Sequence, residues 1–289
     1  MSLLESNVEK IVLIVSTGRT GTRAIAQHLD TCYEQVRALH EPPPTRFRLR
    51  RAANRFLCNR LTPAQLVKVL RGERGRMLAE TTQAVYVESN PGLAGFMDVF
   101  ADVFANFQVL HVVRDPRTYI PSALDWGVFR GMKGILANRL PFWLPKPDFT
   151  EPAGGLRWRD MTHQERLAWY WKRINEHLDR GPQLYPGKYM RMRYEELFAR
   201  DGSGLARFVE WIGLPPTEKL SLSANSENVN ASRPRQGSKW GQWKDEDKRA
   251  VLRFCAPLMR EYGYDLGADA ALVGEAGAQR PSSLLQDVA

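Results

Sequence analysis

The stretch from Ile11 to Leu29 constrains the fold more than any other part of the chain. Five apolar residues, Ile11-Val12-Leu13-Ile14-Val15, break into Ser16-Thr17-Gly18-Arg19-Thr20-Gly21-Thr22-Arg23, and a helical pattern follows with Ile25 and Leu29 four residues apart. This order reads as a buried strand, a tight loop and a helix start. At the head of a helix the first N–H groups have no partner within the helix, and the aligned peptide dipoles favour negative charge there. Gly18 and Gly21 let the backbone turn and come close to a ligand. The hydroxyls of Ser16, Thr17, Thr20 and Thr22 add donors, and Arg19 and Arg23 add positive charge. Such a loop is built for a phosphate or a sulfate. The plainer alternative is a polar connection that happens to carry arginines.

Charge supports an anionic partner without choosing one. The 289 residues carry a net charge of +9, which suits a nucleotide, an acidic glycan, nucleic acid or a lipid headgroup. A chain of this length makes one large α/β domain or two small ones, and 43% hydrophobic residues argue against disorder. Cys32, Cys58 and Cys255 are an odd count without C-x-x-C spacing, which argues against a disulfide framework and a cysteine metal site. Reduced thiols of a cytosolic protein are the simpler reading. Acids precede the first apolar run, and no apolar stretch reaches the roughly 18 residues of a membrane-spanning helix. The expectation is a cytoplasmic enzyme, with peripheral contact at the inner membrane surface left open.

Further strands are predicted over Gln35 to Leu39, around Met77 to Glu80, over Phe107 to Val113 and over Lys188 to Met192. Helices are predicted from Asn90 through Phe104, over Thr118 to Asp125, Met161 to Asp179, Leu205 to Ile212 and Lys244 to Glu261. Apolar strands alternating with helices imply a single α/β domain, a mostly parallel central sheet flanked by helices. Its expected extent is 8–265, with a ragged C-terminal tail over 266–289. Arg46 to Arg60 holds six arginines and no acid, and Trp126 to Pro147 is aromatic, basic and acid-free. In an open parallel sheet ligands bind at the carboxyl ends of the strands. That rule brings the segments after Val15, Leu39 and Val113 to one crevice.

Those three segments, STGRTGTR, His40-Glu41-Pro42 and VVRDPRTYIPSAL, together resemble the sulfotransferases that use 3′-phosphoadenosine 5′-phosphosulfate (PAPS). The bacterial and carbohydrate-directed members are most similar, through His40-Glu41-Pro42 and the stretch from Tyr86 to Asn90. RYEEL at Arg193 to Leu197 and Ser238-Lys239-Trp240 extend the resemblance, which spans Ile11 to about Tyr264. It implies a P-loop nucleotide-triphosphate-hydrolase-like sulfotransferase architecture. Thr17, Gly18, Arg19, Thr20, Gly21, Thr22 and Arg23 would hold the 5′-phosphosulfate, with Arg19 stabilising the bridging oxygen. Arg114, and Ser122 eight residues later, would hold the 3′-phosphate. Tyr194 would pack beside the adenine, and Lys239 and Trp240 would close over the nucleotide. Arg235 and Gly237 belong to the same closing stretch, which departs from the family's glycine-rich loop.

An acceptor hydroxyl needs a base within hydrogen-bond reach. Glu41 is the first choice, since related carbohydrate-directed enzymes place a glutamate just after this strand. His40 is the second, because histidine titrates near neutral pH unaided. Glu80 and Glu88 rank below them. Alternatives stay open for each group: Arg114-Asp115 as a local ion pair, Ser122 as an ordinary polar helix residue, Tyr194 as core. No metal is expected, because fixed cations and loop donors can carry the charge. The expected partner is a hydroxyl-bearing acceptor, a glycan or glycolipid, and not nucleic acid. Trp126, Phe129, Phe142 and Trp143 would line an acceptor lid or touch a membrane, with Arg130, Lys133 and Arg139 meeting anionic groups. Two other functions compete. A P-loop kinase lacks support because the G-x-x-x-x-G-K-[ST] lysine is missing. A non-catalytic membrane or nucleic-acid binder would explain the basic segments but has no use for the loop.

Overall fold

The computed structural model describes residues 8–43, 46–140, 143–151, 154–217 and 239–273. Strand β1 (Lys10–Ser16) passes through the loop into helix α1 (Thr22–Cys32) and on to β2 (Val36–His40). Helices α2 (Arg46–Leu57) and α3 (Pro63–Ala79) precede β3 (Val85–Ser89). A 3-10 segment, Pro91–Val99, and the single turn α4 (Phe100–Val103) lead into β4 (Phe107–Val113). Then come α5 (Pro116–Asp125), α6 (Gly131–Arg139), the turn α7 (Pro147–Thr150), α8 (His163–Leu178) and the turn α9 (Gly181–Leu184). The last strand, β5 (Tyr189–Arg193), runs into the turn α10 (Tyr194–Leu197), followed by α11 (Ser203–Trp211) and α12 (Asp245–Glu261).

The strands form one sheet in the order β2-β3-β1-β4-β5, and every neighbouring pair is parallel. Such a sheet needs cover on both faces, and the alternation along β1 supplies it. Ile11, Leu13 and Val15 face one core, packed with α2, α3 and the Pro91–Val99 segment. Val12 and Ile14 face the other, packed with Ile25 and Leu29 of α1 and Phe208 of α11. A third cluster joins α5, α8 and α12 around Ile120, Trp171 and Leu252. Each such side chain contributes roughly 1.5–3 kcal/mol on leaving water. The apolar run at Ile11 therefore fixes the sheet's centre, with layers on both sides.

One predicted strand is corrected. Met77 to Glu80 closes helix α3, and the strand falls at Val85–Ser89. Thr62 starts that helix with a capping box, accepting from the Gln65 N–H while the Gln65 side chain accepts from its own N–H. Pro63 takes the first helical position. Leu66, Leu70, Arg74 and Leu78 then recur every four residues on the buried face. Arg74 interrupts that stripe because its partner is Glu88 on β3. Its Nε and Nη2 reach the two carboxylate oxygens at 2.6 Å each, with both side chains 1% exposed.

The expected tail also begins with structure. Leu266 is buried in the third cluster, and a 3-10 turn follows over Gly267–Leu272, held by Asp269 as described below. Positions 274–289 lie outside the described residues.

Candidate active site

The β1–α1 loop adopts a conformation that ordinary residues avoid. Gly18, Arg19 and Gly21 all have positive φ, at 85°, 56° and 66°. Glycine adopts it freely, whereas an arginine there is strained, and such strain concentrates at functional sites. Ser16 organises the turn from within: its Oγ accepts from the Gly18 N–H at 3.0 Å and from the Thr20 hydroxyl at 2.8 Å. Gly21 is the N-cap of α1, so no side chain there caps the first turn. A Cβ at Gly21 would stand 2.7 Å from Phe198 Cζ and 3.0 Å from Tyr194 Cε2. The turn after β5 thus packs directly on the loop and needs glycine for space as well as for φ.

Loop and β4–α5 corner are tied together by arginines. Arg19 Nε donates to Ser122 Oγ at 3.2 Å. Arg114 Nη1 donates to the Arg19 carbonyl at 2.6 Å, and its Nε donates to Thr118 Oγ1 at 3.0 Å. The Arg114 guanidinium lies 4.6 Å over the Tyr194 ring, a cation–π contact. The Arg114 carbonyl accepts from Trp171 Nε1 at 2.9 Å, which fixes the strand end against α8. Arg19 is pushed below its ordinary pKa, by burial first and by the Arg114 charge next. Two cations held this close favour an anion between them.

Asp115 does not pair with Arg114. It caps α5 through the Arg117 N–H at 2.8 Å and takes the Arg117 guanidinium at 2.7 Å. Asp269 in the C-terminal turn accepts from Trp240 Nε1 at 2.9 Å and meets Arg117 at 3.5 Å. Trp240 is thereby pinned beside the head of α5.

A cavity of about 990 Å³ opens over the carboxyl ends of β1, β2 and β4. Thr17 to Arg23, His40, Glu41, Arg114, Ser122, Tyr194, Lys239 and Trp240 all line it. The candidates of the sequence reading therefore share one chamber, the phosphate loop at one side and the His40-Glu41 corner at another. Glu41 has a φ of 43°, and its N–H donates to the Ser89 carbonyl at 3.0 Å. Its carboxylate makes no hydrogen bond or ion pair among the described residues. His40 Nδ1 lies 3.0 Å from Ser89 Oγ.

No protein-family model matches the sequence, and no curated protein is significantly similar to it. Solved structures are similar in shape. A sulfotransferase from Mycobacterium avium superposes with a TM-score of 0.54 at 13% identity, covering 89% of this chain and 78% of its own. The sulfotransferase domain of the Synechococcus PCC 7002 olefin synthase gives 0.50 at 16% identity, covering 91% and 97%. The fold is that of the sulfotransferases.

Several expectations about the sulfotransferase-fold cavity are corrected. Glu80 and Glu88 do not line it. Glu80 is exposed at the end of α3 and pairs with Arg76 at 2.7 Å, while Glu88 is spent on Arg74. Phe129 turns inward against Trp158 and His163 instead of facing the chamber. Trp126 and Trp143 do line it. Arg130 and Arg139 are exposed. Phe142, the Lys133 side chain, Arg235, Gly237 and Ser238 lie outside the described residues. Among the described residues there is no cluster of three His, Cys, Asp or Glu able to hold a metal, and no helix long and apolar enough to cross a membrane.

The sequence reading missed Arg50, Asn54 and Tyr170, which also line the chamber. Arg50 sits in the arginine-rich helix α2, where its guanidinium lies 5.5 Å from the Phe47 ring and 4.7 Å from the Trp143 ring. Asn54 Nδ2 donates to the Trp143 carbonyl at 2.7 Å. Nothing local distinguishes Tyr170 from the core residues of α8. Burial, first, and the nearby Glu41 charge push its hydroxyl up to about 12, against the opposing pull of Arg50.

Proposed function

We propose that this protein transfers a sulfuryl group from PAPS to an alcohol. The observation that carries the reading is the Arg19–Ser122–Arg114 network set against a loop with three left-handed residues at the head of α1. Sulfuryl transfer needs attacking and leaving oxygens in line and fixed positive dipoles around the moving group. The sulfotransferase fold and the shared cavity support this reading.

In it, the N–H groups from Thr20 to Thr22 and the Thr22 hydroxyl bind the 5′-phosphosulfate, with Thr17, Gly18 and Arg23 beside them. Arg19 stabilises the bridging oxygen as charge develops there, and a permanently charged fork suits that role. Arg114 and Ser122 hold the 3′-phosphate, and Tyr194 flanks the adenine. Lys239 and Trp240 cover the nucleotide, with Asp269 positioning the indole. Glu41 is the base: its carboxylate has no competing partner among the described residues, whereas His40 is engaged with Ser89. The acceptor oxygen forms its bond to sulfur while the bond from sulfur to the 5′-phosphate oxygen breaks. Glu41 takes the acceptor proton, and adenosine 3′,5′-bisphosphate leaves with the electron pair.

Labelled PAPS incubated with a panel of alcohols tests the proposal. The parent is expected to transfer label, and Glu41→Gln to lose about 100- to 10,000-fold in rate without losing nucleotide affinity. Magnesium-dependent ATP turnover with no label transferred to any acceptor would overturn it.

A further inference from the structure

The acceptor part of the chamber is largely apolar. Away from the phosphate loop its wall includes Leu57, Val128, Leu136, Trp143, Leu144 and Ile174, with Arg50, Asn54 and Asn90 among them. The mouth has the same character, since Phe47, Trp126 and Met132 line the cavity and remain 53%, 48% and 70% exposed. Large apolar residues left exposed around an apolar chamber mark a binding surface. The polar side chains on this side are engaged within the protein: the Asn90 amide donates to Glu88 and accepts from the Gly92 N–H, at 2.8 Å each. The Arg50 guanidinium packs against two rings, and the Asn54 amide is given to the Trp143 carbonyl. Asp125 belongs to the other end, where its charge acts on Arg19.

A sugar presents hydroxyls around its whole ring. Each one buried without a partner costs about 1–3 kcal/mol, and on this wall His40, Asn54 and Asn90 already hold partners within the protein. An apolar molecule with a single hydroxyl meets no such penalty. Its one polar group needs one polar corner, and the chamber has one. Tyr170 packs between the first and third hydrophobic clusters, lines the cavity, and makes no hydrogen bond among the described residues. Glu41 and Arg50 line the same chamber as Tyr170. The Tyr170 hydroxyl stays protonated through neutral pH and can donate to an alcohol oxygen.

We infer that the acceptor is an apolar alcohol whose single hydroxyl is gripped between Tyr170 and Glu41, in place of the glycan that the sequence resemblance implied. The inference rests on the sulfuryl-transfer reading above. Tyr170 donates to the acceptor oxygen and leaves its proton directed at the Glu41 carboxylate. As the oxygen bonds to sulfur, that proton passes to Glu41.

The probes are 1-decanol and methyl α-glucoside, each with two readouts: transfer of label from PAPS, and tryptophan fluorescence with adenosine 3′,5′-bisphosphate present. Decanol is expected to change the Trp126 and Trp143 emission saturably and to exceed the glucoside at least about tenfold in kcat/KM. Leu136→Asp, which places a charge in the apolar wall, is expected to weaken decanol about tenfold or more while nucleotide affinity is unchanged. Tyr170→Phe is expected to lower kcat with nucleotide affinity unchanged. Transfer to the glucoside with no decanol binding overturns the inference, as does parental kcat in Tyr170→Phe. Decanol binding that Leu136→Asp abolishes, in a protein that binds no nucleotide, instead removes the sulfuryl-transfer reading and leaves the apolar chamber standing.

Discussion

Glu41→Gly is expected to make the protein more stable and inactive at once. The left-handed conformation at φ 43° costs a residue with a Cβ about 1–2 kcal/mol. Glycine removes that cost and returns about 0.5–1 kcal/mol of it through the greater freedom of its unfolded chain. The bond from the residue 41 N–H to Ser89 is backbone to backbone and survives the change. The carboxylate has no partner among the described residues whose loss would count against the variant. The net gain is therefore about 0.5–1 kcal/mol, a rise in Tm of roughly 1–3 °C for a domain of this size. Urea unfolding of parent, Glu41→Gly and Glu41→Gln measures it. The glutamine variant keeps the strain and is expected to match the parent within about 0.5 kcal/mol. Label transfer from PAPS, run in parallel, is expected to fall in both. A Glu41→Gly protein destabilised by more than about 1 kcal/mol, or one transferring at the parental rate, refutes the argument that strain is retained here for chemistry.

Two further outcomes follow from buried charge. Arg74→Met leaves the Glu88 carboxylate with only Tyr86 and Asn90 as donors among the described residues and is expected to cost about 3–5 kcal/mol in denaturant unfolding, with Arg74→Met/Glu88→Leu recovering most of it. Acid should weaken the fold through two histidines. Burial lowers His111 from 6.5 to about 3, and lowers His177, which faces Asp98, Arg180 and Arg173, from 6.5 to about 4. The neutral forms are favoured in the folded state, so this stability is complete above pH 6.5 and drains as pH falls toward the folded values. At pH 5 the unfolded chain has gained both protons, and each histidine accounts for about 2 kcal/mol, read as the drop in urea midpoint from pH 7. An unchanged midpoint contradicts the burial argument.

The parts of this fold legible in the sequence are those whose pattern is local. β1, its loop and α1 follow from an apolar run, paired glycines and helical spacing, and Phe107–Val113 from an unbroken apolar strand. Helix α3 was hidden because Arg74 stands in its apolar stripe, which makes sense only once Glu88 is known to face it. Its start was written plainly in Thr62-Pro63-Ala64-Gln65, a cap signal stronger than the short apolar pieces after Arg76. The loop, Arg114, Ser122 and the Glu41 corner could be assembled because strand ends in a parallel sheet share one edge. Tyr170 and Arg50 were not legible. Their helices have several faces, and only packing against the sheet decides which residue looks into the chamber.

The central claim is that Arg19, Arg114 and Ser122 form one anion site with the loop, and calorimetric titration with adenosine 3′,5′-bisphosphate tests it most directly. The parent is expected to bind at a single site, and Arg114→Ala about 10- to 100-fold more weakly, as suits the loss of a charge-assisted bond worth about 1.5–3 kcal/mol. Equal affinity in parent and variant, or no heat from the parent at all, would contradict it.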